Sequence, residues 1–398
     1  MGFIDVGLIS ALVAVVSSDR GKAREYGLGT LWTLSIANEN GVYMGSNKGL
    51  GLVSALVAVV SSDSGKARVN ALGMLMNLSA ANENRVYMGL KDLGLVPVLV
   101  AVVSSDSGEA RVDALGTLWN LSFTNENKVY MGSKDLGLVP ALVGMISSDS
   151  RDARENALGT FWNLSFADEN GVYMGSKYVG LLPALVAVIS SDSGEARDNA
   201  LGTVENLSIT KENKVYMGSK DVSLLPALVA VISSDSGEAR ERALGTLRNL
   251  SVADENGVYM GNKDVGLVPA LVEVVSSDSG EARVIALGTL WILCLYHENI
   301  EYLVSCSGMP VVLDAFQSSP RGSVSFQKSL AVLMVSGRNI SAARAIVVAG
   351  GVEVISPLLD IGGVDGIKAA IILSFLVGKE ESKGTQLSLL ESKPQLGD

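Results

Sequence analysis

ENKVYMGSKDLGLVPALV, from Glu126 to Val143, runs on into Ser147-Ser148-Asp149 and a long apolar-periodic stretch, and near-copies of this unit fill most of the chain. Ser-Ser-Asp recurs with its aspartate at Asp19, Asp63, Asp106, Asp149, Asp192, Asp235 and Asp278, one interval of 44 residues followed by five of 43. Each copy predicts three helices. Gly137 marks the break after the first, and Pro140 sits in the opening turn of the second, where a missing N–H costs little. In the third, expected from Gly108 to Phe123, Ala114, Leu115, Leu118 and Leu121 fall at helical spacing and define one buried stripe. Asp106 with Glu109 three residues later reads as a capping box that fixes where this helix begins. A single unit cannot hide its own stripe, so stacking is obligatory.

Composition narrows what the array can do. The chain of 398 residues is 48% hydrophobic but only 5% aromatic, so its core must be built from Leu, Val, Ile and Ala. A net charge of -11 opposes a general affinity for nucleic acid or anionic lipid and favours basic partners. Cys294, Cys306 and His297 are the only cysteines and the only histidine, which excludes a zinc constellation, a disulfide framework and a catalytic histidine. No cofactor, metal or small-molecule substrate is implied, and no enzyme. A reducing setting is the default, so a cytoplasmic location, with the nucleus open to it, is expected. The apolar runs, such as Val179 to Ile189, fall short of the roughly 20 residues needed to span a bilayer. The run from Val6 to Val16 has the apolar character of a signal-peptide core, but it recurs inside the chain and follows Asp5 rather than a basic residue. Val6 stands where an N-myristoylation signal wants Ser or Thr.

The motif ENKVYMG…LGLVPALV…ALGTLWNLS, with an asparagine opening the first helix and another near the end of the third, resembles the armadillo repeat, and the likeness covers nearly the whole chain. It implies an all-α, right-handed solenoid of about nine repeats, seven close and two degenerate. Residues 1–38 form an incomplete first repeat, 39–297 six close repeats, 298–379 two degenerate ones, and 380–398 a flexible tail. The opening Met1 to Leu8 aligns with Met131 to Leu138, so the chain starts inside a repeat. This predicts either a first unit without most of its first helix or the C-terminal part of a longer array, with Leu8, Leu12 and Val13 left uncovered.

Comparison among the copies locates the candidate site. Counted back from Asn120, variation concentrates eleven, eight, seven and one residue earlier, and at 100° per residue these positions share a face with the asparagine, away from the apolar stripe. In the armadillo family that face lines the concave groove, which implies that the varied residues meet a partner. The asparagines form a ladder, Asn77, Asn120, Asn163, Asn206 and Asn249, interrupted by Thr33 and Ile292. Each amide can clamp a peptide bond of an extended chain, as the matching residue does in importin-α and β-catenin, or can bond to a neighbouring helix. Importin-α places Trp four residues before this asparagine, whereas Gly73, Gly116, Gly159, Gly202 and Gly245 stand here, so the lysine slot is missing. Glycine repeated inside a helix signals a close approach, by a neighbouring helix or by ligand backbone.

One residue before the ladder lie Trp32, Met76, Trp119, Trp162, Glu205, Arg248 and Trp291. Glu and Arg there require access to solvent, so Trp119 and Trp162 are candidate contact residues, or else pack between third helices. Lys22 and Lys66 begin the ridge, and Glu109, Asp113, Asp152, Glu155, Glu195, Asp198 and Glu205 follow, until Arg242 and Arg248 break the acidic strip. Such a strip steers a basic segment towards it, or is an ordinary solvated face. Arg111 and its equivalents are expected to bond to carboxylates or carbonyls between repeats, and His297 to be structural.

The resulting expectation is an adaptor or scaffold that binds an extended, basic protein segment in its groove. A nuclear transport adaptor, or the substrate-recruiting region of a larger ubiquitin ligase or membrane-associated armadillo protein, are the alternatives implied by the resemblance.

Overall fold

The computed structural model describes residues 6–18, 20–46 and 50–378, and all of their regular structure is helical, without a strand. The chain divides into two compact units, Met1–Asn213 and Lys214–Asp398. The tail proposed for 380–398 lies outside the described residues.

The third repeat shows how sequence becomes structure. Its first helix, Asn82–Met88, is followed by a short 3-10 turn, Lys91–Leu93, and ends on Gly94, which takes the left-handed conformation (φ 71°) that only glycine adopts without strain. The second helix is Leu95–Ser105 and the third Gly108–Leu121. Ala114, Leu115, Leu118 and Leu121 are fully buried, as the apolar stripe requires. Within the first unit, third helices pack in sequence, Lys22–Ser35 on Gly65–Ala80, then Gly108–Leu121, Arg151–Ser165 and Glu195–Ile209, and second helices do the same alongside them. The second unit repeats the scheme with Gly237–Ser251, Glu281–Leu293, Val324–Ser336 and Gly363–Gly378. In the last repeat the second helix survives only as Gly351–Ile355 and a 3-10 segment, Ser356–Ile361, that contains Pro357.

In six repeats the asparagine of the first helix fastens the repeat to the one before it. The Asn127 amide donates to the Leu121 carbonyl (2.9 Å), an orphan acceptor at a helix C-terminus, and to the Arg85 carbonyl of the preceding repeat (2.9 Å). Asn84, Asn170, Asn213, Asn256 and Asn299 make the same pair of bonds. Gly89 leaves room for it, since a Cβ there would stand 2.2 Å from the Asn127 amide. A buried bond of this kind contributes about 1 kcal/mol net, and an orphaned carbonyl would cost more.

Two expectations change. Asp106 caps no helix: Ser107 is the N-cap residue of Gly108–Leu121, without a side-chain cap bond, and Asp106 pairs instead with Arg68 of the preceding repeat (3.2 Å). The charge of a guanidinium outcompetes a backbone N–H for the carboxylate. The same inter-repeat pair joins Arg24 to Asp63 (2.8 Å), Arg154 to Asp192 (3.4 Å) and Arg240 to Asp278 (3.5 Å), as the arginine row led one to expect. Among the described residues no such pair is found at Arg111. The turn there is different because Arg151 replaces the positive-φ glycine that Gly65, Gly108, Gly194 and Gly237 supply. In the opening repeat Leu8 is exposed and Leu12 half-buried, but Val13 is buried, because Val6–Ser18 packs against Lys22–Ser35.

Candidate functional site

In the first unit the variable ridge of the third helices borders a cleft of about 1010 Å³. Its walls come from the third helices of repeats one to three, and include Lys22, Tyr26, Trp32, Lys66, Asn70, Glu109 and Asp113. Every one of these lies eleven, seven or one residue before the ladder position. The ridge therefore does face open space.

The ladder itself is partly occupied by the protein. Asn77 donates its amide to the Ser35 hydroxyl (3.0 Å), Asn120 to Ser79 (3.1 Å), Asn163 to Ser122 (2.9 Å) and Asn206 to Ser165 (2.9 Å), each time one repeat back. Each of those serine hydroxyls in turn donates to a carbonyl of its own helix, as Ser79 does to Met76 (2.8 Å). The bond to the neighbouring helix is thus real. It uses one N–H of Asn77, Asn163 and Asn206 and both of Asn120, which leaves the amide oxygen as the acceptor each side chain can turn towards a ligand. Asn163 is buried, while Asn77, Asn120 and Asn206 are half-buried. Asn249 occupies the matching helix position in the second unit and is half-buried.

The glycine row makes a slot for side chains, not for ligand backbone. A Cβ on Gly159 would stand 2.7 Å from the Trp119 indole nitrogen, one on Gly116 2.9 Å from the Met76 sulfur, and one on Gly73 3.2 Å from the Trp32 indole nitrogen. In these three pairs the large residue one before the ladder lies across the glycine of the next repeat. Trp119 is consequently a half-buried packing residue, and Trp162 is half-buried as well. Each also meets a more exposed ring, Phe123 at 5.5 Å and Phe166 at 5.9 Å, which Arg85 and Lys128 cover at 5.0 and 5.3 Å. This aromatic edge went unnoticed in the sequence, although apolar residues three beyond the ladder, from Ile36 to Ile209, were a readable signal.

The acidic strip is less uniform than its sequence. Glu109, Asp152, Glu195 and Asp198 are exposed and Glu205 is half-buried. Glu155 is paired with Arg151 on its own helix (2.7 Å), which removes it as a free charge. Asp113 is only 9% exposed. Burial, reinforced by the Glu109 carboxylate, pushes its pKa up to about 6. Its neighbours at the same helix position are Asn70, Asn156 and Asn199.

The His297 Nε2 accepts from the Asn339 amide nitrogen (3.1 Å), while the Asn339 amide oxygen caps Ile340–Val348. Among the described residues no cluster of His, Cys, Asp and Glu is arranged to hold a metal, and no single helix is long and apolar enough to cross a membrane.

A stack of three-helix repeats joined by asparagine and arginine rows defines an armadillo solenoid. The chain belongs to the family of plant U-box protein ARM repeat regions, whose pattern matches residues 6–285. Among solved structures it is similar to an engineered protein from the Northeast Structural Genomics Consortium, at 22% identity and a TM-score of 0.72 over 94% of this chain and 90% of that one. The designed armadillo repeat protein YIII(Dq)4CqI is also 22% identical, with a TM-score of 0.53 over 61% of this chain and 99% of its own. These likenesses concern the fold. No curated protein matches the chain in sequence.

Proposed function

We propose that the array is a protein-binding scaffold whose first unit holds an extended, basic segment of another protein along the third-helix ridge. The observation that carries this reading is the run of exposed carboxylates on three successive third helices, Glu109, Asp152 and then Glu195 with Asp198, which begins at the open cleft that Glu109 lines. Adjacent helices pack about 8–10 Å apart, so successive acids meet every third residue or so of a chain that advances about 3.3 Å per residue. The amide oxygens of Asn77, Asn120 and Asn206 add acceptors for the segment's backbone N–H groups. The absence of tryptophan where importin-α has its lysine slots argues against nuclear-signal recognition of that kind.

Membership of a plant U-box protein family favours a second statement about role: the captured protein is one recruited for ubiquitin transfer. Titration with a lysine-rich and a glutamate-rich extended peptide at low and high salt tests the binding reading. The basic peptide should bind, and salt should weaken it, since exposed charges are screened beyond about 8 Å at physiological ionic strength. Preference for the acidic peptide would overturn the reading.

A further inference from the structure

The first three repeats depart from the others in two ways that a purely basic ligand does not explain. The first concerns the position eleven before the ladder, where Glu109, Asp152 and Glu195 follow Lys22 and Lys66. Lys22 is the first residue of Lys22–Ser35 and Lys66 the second of Gly65–Ala80. A carboxylate in a helix's first turn complements the macrodipole and an ammonium opposes it. The two lysines therefore cost their helices stability that the other copies gain. Both are exposed, and neither has an ion-pair partner among the described residues.

The second departure is Asp113. Asn70, at the same position one repeat earlier, donates its amide to the Glu25 carbonyl (3.4 Å). A carboxylate cannot make that bond. The Asp113 side chain has no hydrogen-bond partner among the described residues, although it is only 9% exposed, and it lines the cleft. One of its oxygens and the Trp32 indole nitrogen lie 3.3 and 3.2 Å from a common point above Gly73, so the acid sits at the floor between repeats one and three. An unpartnered buried carboxylate is costly to keep, unless a ligand cation completes it.

Both departures open on one cleft, and the charge changes sign inside it. Glu25 offsets one of the two lysines, whereas Glu109 and Asp113 are both acids. We propose that this cleft is a two-sign recognition subsite: the bound segment sets a carboxylate against Lys22 and Lys66 and, about three residues along, a lysine or arginine against Asp113 and Glu109. Tyr26, 72% exposed, and Trp32 form apolar walls against which the stem of that basic side chain packs. This inference rests on the extended-segment reading and adds to it a required acid beside the base.

The test uses the full chain and three labelled synthetic peptides of equal length and extended sequence. One carries only basic charges, one an acid three residues before the basic cluster, and one an acid three residues after it. Fluorescence anisotropy should show one of the mixed peptides binding about tenfold tighter than the all-basic peptide. In Lys22→Glu/Lys66→Glu that advantage should vanish while the all-basic peptide binds at least as well; circular dichroism checks the fold, which acids at these positions favour. Asp113→Asn should weaken the favoured peptide several-fold. Should neither mixed peptide exceed the all-basic one, or should the advantage survive in the double variant, the two-sign subsite is wrong while the basic-segment reading stands. If only mixed peptides bind, and only with both lysines present, the subsite holds and the broader acidic-strip reading fails. Binding by none of the three overturns both.

Discussion

Trp119 lies across Gly159 of the next repeat, so closely that a Cβ on the glycine would stand 2.7 Å from the indole nitrogen. A helix-interior glycine ordinarily costs about 1 kcal/mol against alanine, and the array accepts that cost to seat a large side chain between third helices. Gly159→Ala should therefore destabilise the protein by about 1–2 kcal/mol despite its better helix propensity, as overpacking does. Gly144, also helical but with nothing within 4 Å of its would-be Cβ, is the control, and Gly144→Ala should stabilise by about 0.5–1 kcal/mol. Urea denaturation of both variants decides the matter. Equal effects would mean that the glycine row is unrelated to the tryptophans.

Asp113→Asn should raise stability near pH 7.5 while it weakens binding. Burial holds the folded carboxyl at about 6, above the ordinary aspartate value, so the folded state binds the proton more tightly than the unfolded one. This group's contribution to stability is thus present at low pH and lost as pH rises through about 6. The asparagine variant removes the loss and regains a donor that can reach the Val69 carbonyl, as Asn70 reaches Glu25. Its advantage in thermal unfolding should shrink from pH 7.5 to pH 4; a constant or growing advantage would contradict the assigned burial.

The ion pairs divide sharply by location. Arg24 and Asp63 join two repeats at 2.8 Å with side-chain exposures of 9% and 21%, and Asp63→Ala, which leaves a buried guanidinium alone, should cost about 2–3 kcal/mol. Arg151→Ala, at a pair whose arginine is 77% exposed, should change stability immeasurably. Thermal melts of the two variants that coincide would refute the distinction.

Ser223 occupies the turn between first and second helices at φ 57°, where Gly94, Gly137, Gly180 and Gly266 stand in other repeats. A residue with a Cβ pays about 1 kcal/mol or more there, partly repaid by the unfolded entropy that glycine would add. Ser223→Gly should stabilise by about 0.5–1 kcal/mol in chemical denaturation, and a loss of stability would show that the serine has a local role.

Most of the fold was legible in the sequence because a strict period exposes it: the Ser-Ser-Asp spacing, the apolar stripe through Leu115 and Leu118, and the turn glycine Gly137 each carry local physics that the structure repeats. Contacts made between repeats were harder to read. Asp106 has the spacing of a capping box, but a guanidinium 38 residues away claims it, and no local pattern announces that competition. Ridge residues of repeats one to three line the cleft, yet the chemistry of the variable face depends on depth: Asp113 and Asp152 look alike as letters, while one is 9% exposed and the other lies in solvent. Glu155 looked free until the adjacent Arg151 folded onto it. The ladder asparagines carry donors suited to a ligand, and only the placement of Ser35, Ser79, Ser122 and Ser165 shows one donor of each already engaged.

The association rate of a lysine-rich extended peptide, measured by stopped-flow fluorescence with the unmodified chain and with Glu109→Lys/Glu195→Lys/Asp198→Lys, tests the acidic ridge most directly. These three side chains are exposed, so the fold should survive their reversal. Charges at a rim act chiefly on encounter. The account predicts association slowed at least tenfold at low salt, a smaller change in dissociation, and a preference that turns towards a glutamate-rich peptide. Unchanged association, or basic-peptide binding indifferent to salt in both proteins, would contradict it.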